Sequence, residues 1–181
     1  QNVYYNSVKV RDGYALYIYY GSLYNTLINN IFESTNAAAA YFYNASVTTS
    51  SDHNDFYTAY AYQIYYSGNK TLAQWQAYGQ DSNSVSIDPV YDTDSTLVPM
   101  KLALDNLGTP IADITDDMYG NNRSETTPDM GAMEFTVEGS PLSGIYMLGA
   151  GADADYDSIS TALNDLSVYG ISGPITFNIQ A

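Results

Sequence analysis

Leu27-Ile28-Asn29-Asn30-Ile31-Phe32 sets two adjacent amides between apolar residues. A buried strand does not hold uncompensated amides, because each costs free energy unless it is hydrogen-bonded. The neighbouring sequence supplies a reason for Asn30. Val3–Val8, VYYNSV, places Asn6 in the same apolar-x-x-Asn-x-apolar frame, and SDHNDF places Asn54 in a looser copy, so the intervals are 30 − 6 = 24 and 54 − 30 = 24. The flanking segments keep the same register: ALYIYY from Ala15 returns as AAYFYN from Ala39, again 39 − 15 = 24. A fixed period of this size marks repeating units that cannot bury their apolar faces alone. The expected fold is all-β, a right-handed parallel β-helix (a solenoid of about 24 residues per coil), with coils spaced like neighbouring strands. Asn6, Asn30 and Asn54 then sit in turns and form a structural ladder of side-chain amides.

Composition narrows the partners. The chain has 181 residues, with 5 Lys+Arg against 20 Asp+Glu and a formal charge of −15. Nucleic acid is not expected as a partner, since phosphate binding needs clustered cations, and an anionic membrane surface is disfavoured for the same reason. No apolar run is long enough to span a membrane. With no cysteine and a single histidine, His53, zinc ligation is not expected. Twenty tyrosines against five phenylalanines suit half-buried pleated surfaces. Tyr17, Tyr19, Tyr41 and Tyr43 alternate toward one face and are candidates, with Trp75, for stacking on sugars.

The regular period runs to about residue 66 and breaks in SGNKTLAQWQAYGQDSNSVSIDPVY. There Thr71 is expected to cap a short helix through Leu72, Trp75 and Tyr78. Trp75 then covers the edge of the last coil. Pro89 and Pro99 enforce extended or turn geometry. From Asp105 the chain reads as loop. Its acids Asp113, Asp116, Asp117 and Asp129 are candidate oxygen ligands for calcium, although their spacing is not that of an EF-hand and a solvated acidic turn is the plainer reading. Arg123 is expected to pair with Asp117 or Glu134. Residues 1–138 thus read as coils and closing loops of one unit, and 139–181 as a linker, EGSPLSG, followed by the N-terminal opening of another. In that opening Ile145–Leu148 forms a strand, Asp157 or Ser158 caps a helix carrying Ile159, Ala162, Leu163 and Leu166, Gly170 ends it, and ITFNI is a second strand.

The run from LINNIF through SDHNDFY and TLAQWQAYGQDSNSVSIDPVY to PDMGAMEF resembles the C-terminal part of right-handed parallel β-helix proteins of the pectin-lyase-like superfamily, particularly secreted repeat proteins of gliding Gram-negative bacteria. The resemblance covers about residues 1–136, and the tail resembles the N-terminal opening of the same kind of unit. It implies a piece of a long, secreted cell-surface array whose partners are neighbouring β-helix units, with glycans or other surfaces as ligands. The closing loop departs from the family's D-x-D-G-x-x-R pattern, because Tyr119 stands where the second acid is expected.

Two enzymatic readings compete with an adhesive, non-catalytic one. A polysaccharide lyase needs a cation to neutralise a uronate and a base for its proton, for which Lys9, Arg11 and His53 are candidates; Lys70 and Lys101 fall in irregular parts. A glycoside hydrolase needs two carboxyl groups about 5 to 9.5 Å apart, for which Asp52 and Asp55 are candidates. The five cations are scattered, which favours the non-catalytic reading, with no cofactor beyond calcium. Sequons at Asn44, Asn69 and Asn122 fit chance in an Asn/Ser/Thr-rich chain.

Overall fold

The computed structural model describes residues 1–20, 24–43 and 48–180. Strands dominate, with two short α-helices among the described residues. The first round of chain contains β1 (Asn2–Tyr4), β2 (Ser7–Val10) and β3 (Leu16–Ile18). β4 (Asn25–Ile28), β5 (Ile31–Ser34) and β6 (Ala40–Phe42) make the second, and β7 (Thr48–Asp52), β8 (Asp55–Thr58) and β9 (Ile64–Tyr65) the third.

Equivalent strands of successive rounds pair in parallel, giving the sheets β1–β4–β7, β2–β5–β8 and β3–β6–β9. Val3 stands opposite Leu27, Val8 opposite Phe32 and Phe32 opposite Phe56, and Tyr17, Tyr41 and Tyr65 form one row. The period read from the sequence is therefore the pairing register. Alternate residues point inward, so Leu27, Phe32, Ala40, Phe42, Phe56 and Ile64 build a dry core between the sheets. The bend from the first sheet to the second is made by one residue in the left-handed region, Tyr5, Asn29 and His53 in turn (φ 54°, 61° and 51°). Each is followed by a ladder asparagine. The positive φ thus falls one position before the Asn.

The chain beyond β9 seals the third round. β10 (Asn69–Lys70) pairs antiparallel with β9 and blunts that edge. α1 (Leu72–Gln76) then starts at Thr71, whose hydroxyl accepts from Gln74 N while Gln74 returns a bond to Thr71 N. Tyr78 lies past the helix end and is exposed. Thr71→Ala is expected to lower stability by about 1 kcal/mol, measured by urea unfolding.

Residues 85–137 have little regular structure but are not free loop. Val85, Ile87, Val90, Val98, Leu102 and Leu104 pack, with Met130, Phe135 and Val137, over Ile31 on the outer face of β2–β5–β8, forming a second core. β11 (Leu142–Leu148) and β12 (Ile171–Ile179) are parallel and joined through α2 (Ile159–Tyr169). Both strands extend beyond the segments expected. Ser158 caps α2 by accepting from Thr161 N, and Asp157 supports it by accepting from the Thr161 hydroxyl. Gly170 ends it at φ 76°. In the stretch expected as a linker Leu142 is buried and the other residues are exposed; a Cβ on Gly139 would lie 2.3 Å from the Tyr169 ring, and Val168 of α2 joins the second core.

Candidate functional site

Two features combine the residues of interest: an internal hydrogen-bonded spine and an outward aromatic face. In the spine, Asn6 donates through its backbone N and Nδ2 to Asn30 Oδ1, both at 3.0 Å. Asn30 repeats the pattern onto Asn54 Oδ1, at 3.0 and 2.9 Å. The remaining amide hydrogens go to carbonyls, from Asn30 to Val3 and Ile28 and from Asn54 to Leu27. Asn30 and Asn54 are fully buried and satisfied.

The spine ends on Asp81, which sequence reading missed. Its Oδ1 accepts from Asn54 Nδ2, Ser51 Oγ and Ser84 Oγ, and its Oδ2 accepts from Trp75 Nε1 at 2.7 Å. Burial pushes the Asp81 carboxyl up, against the four donors that hold it down. A second ladder also went unread: Ser34 Oγ donates to the Gly13 carbonyl, and Thr58 Oγ1, one period on, to that of Ala37.

The outward face belongs to β3–β6–β9. The rings of Tyr17 and Tyr41 stack 4.5 Å apart and those of Tyr41 and Tyr65 5.2 Å apart, with Tyr14 tilted against all three. Tyr19 stacks on Tyr17, and Tyr43 meets Tyr19 and Tyr20 edge to face. Tyr14, Tyr20 and Tyr65 were not among the candidates, although the row of Tyr65 is set by the same 24-residue interval. Trp75 is not part of this face. It is fully buried and stacked on Phe42 with ring centroids 4.5 Å apart, so it offers no surface to a sugar. Its place is the lid of the first core.

The calcium candidates are not brought together: among the described residues no group of three or more His, Asp or Glu could hold a metal ion. Asp113 and Asp116 are exposed. Asp117 is buried and accepts from Tyr119 N, Asn121 N, Asn121 Nδ2 and Glu134 N. Burial raises its pKa, but these donors outweigh burial and hold it at about 2. Asp129 accepts from Asn106 N and Phe135 N, yet burial pushes it up to about 7. The solvated turn expected for these two acids is therefore a buried loop anchor. Arg123 pairs with Glu134 at 3.3 Å rather than with the Asp117 carboxylate, donates to the carbonyls of Asp116, Asp129 and Gly131, and lies over the Tyr5 ring at 3.8 Å. A cavity of about 450 Å³ opens beside this clamp, lined by Tyr5, Ile111, Thr115, Asn122 and Glu125.

Of the residues considered for catalysis, Asp52 and His53 approach each other, with Nε2 3.9 Å from Oδ2. Lys9 bridges Glu33 (3.5 Å) and Asp94 (2.9 Å), while Arg11 is exposed. His53 Nδ1 donates to the Leu107 carbonyl. Asp52 holds Asn83 with both oxygens. Asp55 is fully buried; its Oδ1 accepts from Ile87 N and its Oδ2 has no partner among the described residues, so burial raises its pKa strongly. Lys70 lies in β10, and Lys101 donates to the Ser167 carbonyl. Asn69 begins β10, Asn122 is exposed, and Asn44 lies outside the described residues. Among the described residues no helix is long and apolar enough to cross a membrane. Compared with known proteins, the chain matches no family model, no curated protein and no solved structure at a significant level.

Proposed function

We propose that the three rounds are coils of a right-handed parallel β-helix, and that the chain is a non-catalytic structural and adhesive unit of a large secreted cell-surface repeat protein. The observation that carries this reading is the exposed tyrosine face of β3–β6–β9, repeated at the same interval as the hydrogen-bonded amide spine. Parallel pairing at one interval in all three sheets supports the β-helix. The resemblance described from the sequence supports the tandem, surface-exposed setting, in which neighbouring units are the partners. Ile145, Ile171 and Ile179, exposed on β11 and β12, suit contact with such a unit.

Adhesion in this scheme is multivalent. Weak side-on contacts of many units add through effective concentration, and a stiff rod keeps them in register. Beads carrying the chain at increasing density, settled on agarose, polystyrene and glass under shear, test it. Retention on agarose or polystyrene that rises faster than linearly with density is expected. Retention no better than that of bare beads at every density overturns the reading, as does cleavage of a soluble polysaccharide by the chain.

A further inference from the structure

The tyrosines of the outward face divide into two sets by what their ring faces touch. Tyr41 is sandwiched between Tyr17 and Tyr65 at interplanar angles of 15° and 9°, and Tyr14 tilts against all three. Within that pile Tyr41 is covered on both faces, while Tyr17, at its end, is 56% exposed. Tyr19, Tyr20 and Tyr43 are different. Tyr19 rests one face on Tyr17, but Tyr43 meets Tyr19 and Tyr20 edge to face, and the three are 54%, 73% and 42% exposed, so ring faces stay open to a ligand. An open aromatic cluster braced by its own edge-to-face contacts and, through Tyr19, by the ring of Tyr17 loses little side-chain freedom on binding.

Charge supplies a second, independent observation. Residues 13–32, 34–51 and 56–69 contain no Asp, Glu, Lys or Arg, although the whole chain carries −15. The strands that hold the tyrosines, β3, β6 and β9, lie in these stretches; Lys70 stands on β10 at the edge of that sheet farthest from β3, and Lys9, Glu33 and Asp55 belong to β2–β5–β8. An anionic ligand would be repelled by the net charge and would find no cation among these residues. A neutral ligand with apolar faces and a hydroxylated rim matches open rings with phenol hydroxyls at their edges.

We infer that Tyr19, Tyr20 and Tyr43 form a binding platform for neutral β-1,4-linked glycans, whose flat pyranose rings offer axial C–H groups to the aromatic faces and equatorial hydroxyls to the phenols. This rests on the adhesive reading and names its ligand class. It also moves the contact away from Tyr17 and Tyr41, whose role is to hold the platform in place.

Native affinity electrophoresis of the full chain in gels containing hydroxyethylcellulose, mixed-linkage β-glucan or polygalacturonate tests the assignment. Retardation by the two neutral polymers and none by polygalacturonate is expected. The variant Tyr19→Ala/Tyr20→Ala/Tyr43→Ala should lose about tenfold or more in apparent affinity. The matching Tyr→Phe triple, which keeps the ring faces, should retain most of it. Tyr60→Ala/Tyr62→Ala, removing another exposed edge-to-face pair, serves as the control for general aromatic stickiness and should bind like the parent. An unchanged circular dichroism spectrum establishes that each variant is folded. Absence of retardation by both neutral polymers, or equal loss in the two alanine variants, overturns the platform. Bead retention without glycan retardation sinks the platform while leaving the adhesive reading intact; retardation without bead retention does the reverse.

Discussion

Asp81→Ala is expected to cost about 2 to 4 kcal/mol, a large part of the 5 to 15 kcal/mol typical of a domain. The substitution deletes one small side chain but strips acceptors from Trp75 Nε1, Asn54 Nδ2 and the hydroxyls of Ser51 and Ser84. Ser51 and Ser84 can turn their hydroxyls, and Asn54 keeps the Leu27 carbonyl, so their losses are partial. Trp75 Nε1 has no such recourse in its fully buried site, and an unmet buried donor costs about 1 to 3 kcal/mol. Asp81→Asn keeps the shape and one acceptor, and should lose less than half as much. The measurement is urea unfolding followed by the fluorescence of Trp75, the single tryptophan of the chain. A loss below 1 kcal/mol for Asp81→Ala shows that the spine does not depend on its terminal carboxylate.

The second large effect is of pH. Asp129 is raised to about 7, and Asp55, Asp81 and Glu33 are raised as well, all mainly by burial. A carboxyl with a raised folded pKa binds its proton more tightly folded than unfolded. Its contribution is complete below the unfolded value of about 4 and is lost as pH climbs through the folded value. Asp117, held at about 2, behaves oppositely: its contribution is present above about 4 and is lost as pH falls toward 2. Stability is therefore expected to peak between about pH 4 and 5 and to decline toward neutrality, where self-repulsion of the acidic chain acts in the same direction. The midpoint temperature should fall by roughly 5 to 10 °C between pH 5 and pH 8. Asp129→Asn, which cannot ionise, should flatten the part of the profile between pH 5 and 7. Glu134 and Asp105 face Asp129 and reinforce its shift, whereas Arg123 reaches only its carbonyl. A midpoint that rises steadily from pH 5 to 8 refutes the assignment.

How much of this was legible depends on periodicity. Asn6, Asn30 and Asn54 could be read because one residue type recurs at a constant interval, and Tyr17 and Tyr41 because strand alternation fixes which side they take. Asp81 escaped because it stands 27 residues after Asn54, in a segment where the period has broken, and serves the spine with a carboxylate rather than an amide. The second core escaped because Ile87, Val90, Val98 and Leu104 are isolated apolar residues in irregular chain, brought together only by the sheet they cover. Acid density around Asp113 and Asp129 suggested a cation, but density does not show which carboxylates are already occupied by backbone N–H groups. The burial of Trp75 was half legible. Its helix and its covering role could be read, whereas exclusion from a sugar-facing surface required the depth of its pocket.

The amide spine has a direction. Each asparagine donates to the side chain of the one a round later, and the last donates to Asp81, while Asn30 and Asn54 also donate back to the Val3 and Leu27 carbonyls of the round before. Each inner rung is therefore held from both sides. A pull that peels β1, β2 and β3 leaves Asn30 holding Asn54, whereas losing Asp81 removes an acceptor from Asn54 alone among the three asparagines. The two ends of the spine are thus unequal: Asn6 is exposed, whereas the Asp81 carboxylate is buried among four donors.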